Sequence, residues 1–330
     1  MIDTKKILYI KLTDRCNLKC SHCYAGCTIY GQDMSPKVVD KVLELDPKEP
    51  TEIIFHGGEP ILCLKPLERL VDHFLPNPNC RLNITTNLCY KISNEILDIL
   101  KRIHYVSTSW DTKVRFKEEG QQELWMNNCE FLVDNGIDLQ INTVLTKDLV
   151  AKQELRPSLA LRFLSSIPHK SLHFERLSLT GRGSSIDIPT WDEVDDWLYR
   201  CYLENKENFH ENITIFTQYK ALINGDLTGC FARNCAMKTR TINPDGTIAT
   251  CPNYYNHIIA TVFDQTPTNA LGIIEAMERK KNSKCFLCNF YKYCNGDCFQ
   301  QYWQGDRCAF PKKLFNLLLE EWEQEHAQQK

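Results

Sequence analysis

Short apolar runs alternate with amphipathic stretches through the first half of the chain. The runs are bounded by polar or turn-forming residues, which is typical of strands. They predict six strands, at residues 7–12, 51–56, 81–86, 105–109, 138–144 and 172–177. Stretches with an apolar face at helical spacing lie between some of them and predict helices near residues 67–75, 118–135 and 155–167.

Local end signals support the helices. Ser35 and Pro36 suit the N-cap and first turn of one helix, and Gly136 is placed to stop the helix at 118–135. Strands separated by helices indicate βα units and a parallel sheet. A doubly wound sheet and a partial (β/α)6 barrel both fit this pattern. No GxGxxG motif follows any strand, which disfavours a dinucleotide-binding fold.

The second half of the chain has a different pattern of apolar runs and cysteines. Thr190 and Glu193 form a capping box for a helix that runs to about residue 205. From Cys230 onward the runs are short and cysteines are dense, with a hairpin predicted at residues 243–246 and a C-terminal helix from near Pro311. We therefore predict an α/β domain at 1–190, a helical bridge at 191–229 and a small cysteine-rich domain at 230–330.

Composition narrows the possibilities. The chain has 330 residues, with 39 basic and 42 acidic side chains, and shows no basic run that would suggest nucleic acid or a membrane surface. It lacks a signal peptide and any run of the ~18 apolar residues that a membrane span needs. We expect a cytoplasmic protein, in which the 17 cysteines are reduced and serve metal binding or catalysis rather than disulfides.

Three cysteines follow the first predicted strand in a CxxxCxxC pattern: Cys16, Cys20 and Cys23. Three thiolates can hold three irons of a cubane cluster and leave the fourth iron open, as a working site requires. A zinc site with His22 as fourth ligand is an alternative, although His22 adjoins Cys23 and would strain a tetrahedron. Three incidental thiols are another. The spacing favours the cluster.

A second motif stands at the end of the second strand, where the sequence reads His56-Gly57-Gly58-Glu59-Pro60. The two glycines would let backbone approach a ligand closely, and Glu59 offers an acceptor for an amine. Such a motif alone is weak. Next to CxxxCxxC on the preceding βα loop it becomes specific.

Together the two motifs resemble the radical S-adenosylmethionine (radical SAM) superfamily, over about residues 5–185. The resemblance implies a TIM-like partial (β/α)6 barrel in which Cys16, Cys20 and Cys23 bind a [4Fe–4S] cluster. S-adenosylmethionine on the open iron would be cleaved to a 5′-deoxyadenosyl radical that abstracts a hydrogen atom. The resemblance assigns cofactor contacts to His22, Gly57, Gly58, Glu59, Pro60, Thr86, Asn87, Ser109, Asp111 and Asn142, which mostly follow strand ends as in barrel enzymes.

Eight further cysteines lie between residues 230 and 308. Zinc ribbons are an alternative, because eight thiolates fill two zinc sites as well as two cubanes. The order and spacing resemble the SPASM extension of radical SAM enzymes, which carries two auxiliary [4Fe–4S] clusters. That resemblance assigns Cys235, Cys251 and Cys298, with Cys230, to the first cluster, and Cys285, Cys288, Cys294 and Cys308 to the second. Without Cys230, the first auxiliary cluster would have an open iron for substrate.

Six cysteines remain, and most are expected to be small buried residues. Cys27, Cys63 and Cys89 follow strand ends, so one of them is a candidate hydrogen-atom donor to a substrate radical. We take Cys63, Cys89 and Asp111 as the candidate catalytic residues.

The resemblance favours a ribosomally made peptide as the substrate, modified by a crosslink, a thioether or epimerisation. Alternatives are dehydrogenation or rearrangement of a small molecule such as an amino sugar, formylglycine formation as in sulfatase maturation, and a non-catalytic electron carrier. The first strand begins at residue 7, so we expect a peptide leader to bind the barrel mouth, the bridge or a separate leader-binding protein. A flavodoxin or ferredoxin is the expected electron donor.

Overall fold

Six parallel strands form the main sheet, and each pairs with the next along the chain. The computed structural model describes residues 6–111, 113–151, 156–226, 238–264, 282–294, 296–298 and 301–327. The strands are β1 (Lys6–Lys11), β2 (Thr51–His56), β3 (Cys80–Thr85), β4 (Tyr105–Ser109), β5 (Leu139–Leu145) and β6 (Ser171–Arg176). All six predicted strands are confirmed.

Helices connect these strands and cover one face of the sheet. They are α1 (Pro36–Val42), α2 (Leu64–Phe74), α3 (Asn94–Arg102), α4 (Gln121–Asp134), α5 (Lys147–Val150) and α6 (Pro157–Ser165). Ser35 caps α1 by accepting from the Val38 backbone N–H at 3.3 Å, as predicted. Helix α3 was missed by the sequence analysis, although Ser93 caps it in the same way.

The sheet continues past β1 into the C-terminal part of the chain. Three short strands follow in the order β7 (Thr239–Ile242), β8 (Thr247–Ala249) and β9 (Ile258–Thr261), with β7 parallel to β1. Because β1 pairs with β7 and not with β6, the six βα strands form an open, partial barrel, which confirms the predicted fold class. The β7–β8 hairpin turns at Gly246, whose φ of 86° favours glycine. The domain boundaries near 190 and 230 stay predictions.

The remaining helices are α7 (Trp191–Glu204), α8 (Thr214–Ile223), α9 (Tyr291–Cys294) and α10 (Lys312–Ala327). Shorter turns are the 3₁₀ segments Pro60–Cys63, Gly181–Ser185, Pro252–Tyr254 and Ser283–Leu287 and the π turn Asn205–Phe209. The predicted capping box is present, since the Glu193 carboxylate accepts from the Thr190 N–H and the Thr190 hydroxyl accepts from the Glu193 N–H. No helix among the described residues is long and apolar enough to cross a membrane.

The two faces of the barrel wall differ in polarity. Side chains that point toward the helices, such as Phe55 and Leu82, are fully buried and apolar. On the inner face, the Tyr105 hydroxyl hydrogen-bonds Ser171 at 2.6 Å and Gln140 at 2.9 Å. A hydrogen-bonded polar wall, rather than a packed apolar filling, therefore faces the inside of the barrel.

Candidate functional site

The loop from Cys16 to Cys27, called the cysteine loop below, follows β1 and is held by backbone hydrogen bonds. The Gly58 N–H donates to the Thr13 carbonyl at 2.7 Å, and the Glu59 N–H donates to the Arg15 carbonyl at 2.8 Å. The start of the loop is thus fixed against the end of β2, where the second sequence motif lies.

The two glycines of that motif permit this contact. A Cβ on Gly57 would lie 2.6 Å from the Thr13 carbonyl oxygen, and one on Gly58 would lie 2.1 Å from the Arg15 carbonyl oxygen. Both distances are shorter than real Cβ contacts allow, and both involve backbone. The structure shows that the glycines admit the segment that leads into the cysteine loop, and the ligand contact expected at these glycines stays a prediction.

Glu59 is fully buried and joins the ends of β2 and β3. Its carboxylate accepts from the Asn87 N–H at 2.7 Å, the Thr86 hydroxyl at 2.8 Å and the Ile61 N–H at 3.2 Å. Burial raises the pKa of Glu59 to about 7 in spite of these donors. Pro60 follows and opens the 3₁₀ turn Pro60–Cys63.

Asn87 carries the connection on to the cysteine loop. Its side-chain amide donates to Asn17 Oδ1 at 2.7 Å and lies 3.7 Å from Cys16 Sγ. Glu59, Thr86 and Asn87, which the sequence analysis selected separately, therefore converge beside the first cysteine.

A buried ion pair lies at the end of β4. Asp111 is 1% exposed, and its carboxylate accepts from Arg115 at 2.7 Å and from the Val144 N–H at 2.6 Å. His22 Nε2 lies 3.3 Å from the same carboxylate. Burial would raise the pKa of Asp111, but the Arg115 guanidinium and His22 hold it below its usual range. Asp111 is thus engaged by protein groups, which gives it a role in fixing His22.

His22 is itself 6% exposed, and its Nδ1 has no hydrogen-bond partner among the described residues. A buried ring nitrogen without a partner is costly unless a ligand pairs with it. This orphaned atom suits a hydrogen-bonding ligand beside the cysteine loop, where the sequence analysis expected the adenine.

Arg115 was missed by the sequence analysis, although its spacing of four from Asp111 was a usable signal. Arg182, after β6, was missed as well. Its guanidinium donates to the Cys20 carbonyl at 2.8 Å and the Cys27 carbonyl at 2.9 Å. The cysteine loop is therefore held from β2, β3, β4 and β6.

Burial and neighbouring groups shift the pKa values of the cysteine-loop thiols. Burial raises the pKa of Cys16 to about 11, whereas a hydrogen bond from the Cys27 thiol lowers the pKa of Cys23 to about 5. Burial also raises the pKa of Cys20, and Arg115 opposes the rise. Each thiol must lose its proton to bind metal, so the cationic neighbours assist.

The donor set fits an iron–sulfur cluster. Cys16, Cys20 and Cys23 are free thiols on one anchored loop, and amide donors approach Cys16 from Leu18 at 3.4 Å and Asn87. Among the described residues, no three His, Cys, Asp or Glu side chains already surround a single point as a metal ion would require. The thiols lie along the loop, each available to a separate iron.

The other predicted site residues lie nearby. Ser109 and Asn142 are cross-strand neighbours on the inner face of the barrel. Cys63 is buried, with its Sγ 4.0 Å from Arg15, and Cys89 is buried with its thiol donating to the Gln121 carbonyl at 3.8 Å. Both cysteines lie beneath loops, and their candidacy as hydrogen-atom donors stays a prediction.

The C-terminal cysteines are described in part. Cys230 and Cys235 lie outside the described residues. Burial raises the pKa of Cys294 to about 12, and Cys288 and Cys308 lie close enough to raise it further. Cys288 and Cys285 share a turn through the Cys288 N–H, which donates to the Cys285 carbonyl at 3.0 Å. The structure thus brings together members of the second predicted cluster set.

The two described members of the first set are Cys251 and Cys298. Cys251 is close enough to Tyr24, in the cysteine loop, to influence its pKa. Cys298 follows Asp297, which forms a buried ion pair with Arg176 at the end of β6. Cys251 therefore lies toward the cysteine loop, whereas Cys298 lies next to the second set, because the Asp297 N–H donates to the Cys294 carbonyl at 2.8 Å.

An open α/β barrel with three free thiols on its first βα loop defines an iron–sulfur enzyme with its site at the carboxyl ends of the strands. Residues 10–150 match the family model of the radical SAM superfamily, so the chain contains a radical SAM domain and is an enzyme that uses S-adenosylmethionine. This domain implies a [4Fe–4S] cluster and S-adenosylmethionine as cofactors.

Related proteins extend this result. An uncharacterized protein of Methanocaldococcus jannaschii is 29% identical over 247 residues, which span 69% of this chain and 82% of that protein. The radical SAM cyclopropyl synthase TigE of Paramaledivibacter caminithermalis is 26% identical over 172 residues, 43% of this chain and 36% of TigE.

Solved structures share the fold. The anSMEcpe structure with bound AdoMet and a peptide superposes with a TM-score of 0.74 at 18% identity, covering 97% of both chains. SuiB of Streptococcus suis, bound to S-adenosylmethionine, gives a TM-score of 0.62 at 16% identity over 90% of this chain and 74% of SuiB. Both are SPASM-type radical SAM enzymes, so the fold includes the C-terminal extension predicted from the cysteines.

Proposed function

We propose that this enzyme modifies a peptide by radical chemistry, as part of the maturation of a ribosomally made product. The observation that carries the proposal is the end-to-end fold match to anSMEcpe, whose structure contains AdoMet and a peptide. SuiB, with a similar fold, has been solved with its precursor peptide SuiA. The open, polar inner wall of the barrel offers space for an extended chain.

Separate groups of residues are proposed to bind the cluster, to fix the cysteine loop and to orient the cofactor. Cys16, Cys20 and Cys23 hold the cluster, and the Glu59 and Asn87 connection fixes their loop. When bound, the cluster and S-adenosylmethionine supply a 5′-deoxyadenosyl radical that takes a hydrogen atom from an unactivated C–H. His22 Nδ1, Ser109 and Asn142 orient the cofactor, and the barrel wall excludes water.

We propose two auxiliary [4Fe–4S] clusters in addition, held by the eight C-terminal cysteines. The grouping of Cys288 and Cys308 around Cys294, with Cys251 near Tyr24 of the cysteine loop, supports more than one cluster in this region. Bound there, the clusters would supply an acceptor for the electron that must leave the substrate when a new bond closes. We propose a cytosolic enzyme with flavodoxin or ferredoxin as electron donor and a separate protein that binds the peptide leader.

For the reaction itself we propose crosslink formation, by carbon–carbon or thioether bonding, ahead of epimerisation. The partial match to a cyclopropyl synthase supports bond closure. The two outcomes leave different products. A crosslink removes a pair of hydrogen atoms from the peptide. An epimer keeps its mass in ordinary water and takes up deuterium when the solvent is deuterated.

The test is anaerobic incubation of the reconstituted enzyme with precursor peptides encoded beside its gene, followed by mass spectrometry and chromatography of 5′-deoxyadenosine. We expect roughly twelve irons per chain and a peptide that loses hydrogen in step with cofactor cleavage. A variant lacking Cys16, Cys20 and Cys23 is the matched control. Cofactor cleavage with unmodified peptides, together with turnover of an amino sugar, would contradict the peptide proposal.

A further inference from the structure

The last parallel strand, β6, presents two polar residues to the barrel interior. Phe174 packs against Trp197 of α7 at a ring distance of 5.0 Å, and Arg176 is buried on the same side. Successive side chains of a strand point to opposite faces. His173 and Glu175 therefore point inward, and neither belongs to the cysteine loop or to the residues proposed to bind the cofactor.

The strand register places these residues beside the cofactor-binding edge. Ser109 pairs with Asn142, and Asn142 pairs with His173, so the three form a row across β4, β5 and β6. Glu175 lies two residues further toward the carboxyl end of β6. Two strand spacings, about 10 Å, separate Ser109 from β6, which about three residues of an extended peptide would span.

The Glu175 carboxylate is oriented by its neighbours. His173 Nε2 lies 3.1 Å from Glu175 Oε2, and His173 Nδ1 lies 2.6 Å from the Thr214 hydroxyl. Within the described part of the chain, His173 is the side chain that hydrogen-bonds Glu175, and it engages one oxygen. The Glu175 side chain is 50% exposed, so its other oxygen faces the space inside the barrel.

The charge on Glu175 is also maintained. Enclosure by the barrel wall would raise its pKa, but His173 and Arg176 together hold the pKa below its usual range. Other inner-wall charges are neutralised locally, since Lys11 pairs with Asp14 at 2.5 Å and Glu52 lies beside Arg81. Glu175 thus presents an oriented anion at the end of the substrate row.

We propose that Glu175, held in place by His173, is a subsite for a cationic nitrogen of the substrate. Ammonium and guanidinium groups satisfy a carboxylate by charge-assisted hydrogen bonds. The inference rests on the proposed peptide function, in which a lysine or arginine side chain supplies the cation. An amino sugar carries the same ammonium chemistry, and the experiment separates the two sources.

The test compares two fluorescein-labelled decapeptide pools that are identical except that lysine in one is norleucine in the other. Binding to the reconstituted, cofactor-loaded enzyme is followed by fluorescence anisotropy, with glucosamine as a competitor. We expect the wild type to bind the lysine pool at least about tenfold more tightly, and Glu175→Gln to bring this ratio close to one. Glu95→Gln, an exposed change of the same charge on α3, should leave the ratio as in the wild type.

His173→Gln tests whether His173 positions Glu175, because the variant keeps the Glu175 carboxylate and removes the imidazole that hydrogen-bonds it. We expect a ratio between those of the wild type and Glu175→Gln, with S-adenosylmethionine affinity unchanged in both variants. Peptide binding that is equal for the two pools, or equal in wild type and Glu175→Gln, would overturn the cation subsite and leave the peptide function intact. Glu175-dependent binding of glucosamine with no peptide binding would support the subsite and refute the peptide function.

Discussion

The two cysteine regions of this protein are held in different ways. The N-terminal cysteine loop is fixed by backbone hydrogen bonds to β2 and by side chains such as Asn87 and Arg182. The C-terminal cysteines at 285–298 are joined to the barrel by the buried ion pair of Arg176 and Asp297. They also pack through Phe290 on Phe310 and Phe315, which contact Tyr219 of α8.

The difference shows which region the protein organises before metal binds. The anchors of the cysteine loop include backbone hydrogen bonds to β2 and the Arg182 contacts, which do not involve its thiols, so the loop should keep its shape without the cluster. The C-terminal set relies on side-chain contacts next to its cysteines, and metal ligation should contribute more to its folding. The variants below test the two kinds of anchoring.

The largest effect is expected from removing the loop thiols. Changing Cys16, Cys20 and Cys23 together to Ala should abolish 5′-deoxyadenosine formation while leaving roughly eight irons on the C-terminal set. Because the loop anchors are intact, thermal unfolding should change little. Cys80→Ala, a buried cysteine at the opposite end of β3, is the control and should keep cleavage. Retained cleavage in the triple variant would refute the assignment of the site.

The ion pair should show the second-largest effect. Arg176→Met leaves the Asp297 carboxylate buried without its partner, which typically costs about 3–5 kcal/mol of unfolding free energy. Adding Asp297→Asn removes that charge, and asparagine tolerates the backbone φ of 60° at this position. Chemical denaturation should therefore show the double variant more stable than Arg176→Met alone. Equal stabilities would mean that the pair does not anchor the C-terminal region.

Local patterns in the sequence could be predicted, whereas contacts between distant parts of the chain could not. The cysteine triplet, the motif at 56–60 and the six strands are local patterns, and each was found where the sequence placed it. Arg115 was overlooked, although its spacing of four from Asp111 is a usable signal. Arg182 could not be predicted, because only the folded chain brings it to its partners: it donates to carbonyls about 160 residues away in sequence. Periodicity and spacing carry no signal for such a contact.

The glycines teach a related lesson. Glycines at 57 and 58 predict a close approach of backbone to another group, and the structure shows a close approach by protein carbonyls, while the cofactor contact at this motif stays a prediction. The sequence shows that a Cβ is excluded at such a position; it does not show what would collide with it. In this fold the Thr13 and Arg15 carbonyls occupy that space.

Protonation of Glu59 should make the free energy of unfolding depend on pH by about 3 kcal/mol at most, because folding raises the pKa of this carboxyl from its usual value to about 7. Between about pH 4.5 and 7 the folded state holds this proton and the unfolded state does not. Stability should therefore fall as pH rises through that window, and it should level off above it. Denaturation of the metal-free protein at pH 5 to 8 should show this decline in the wild type and in Glu95→Gln. The decline should be absent in Glu59→Gln, and a persistent decline would assign it to another group.

The smallest effect on stability, and the sharpest on the cysteine loop, is expected from Gly58→Ala. The new methyl would meet the Arg15 carbonyl at 2.1 Å, so the loop start must move away from β2, at a cost of about 1–3 kcal/mol. That movement displaces Cys16, and reconstituted protein should lose roughly four irons while the C-terminal set keeps its own. Gly225→Ala is the control: its φ of 82° is strained for alanine, but no atom lies within 4 Å of the added methyl. If Gly58→Ala kept its full iron content, the loop would be shaped by the cluster rather than by the backbone, and the contrast between the two cysteine regions would disappear.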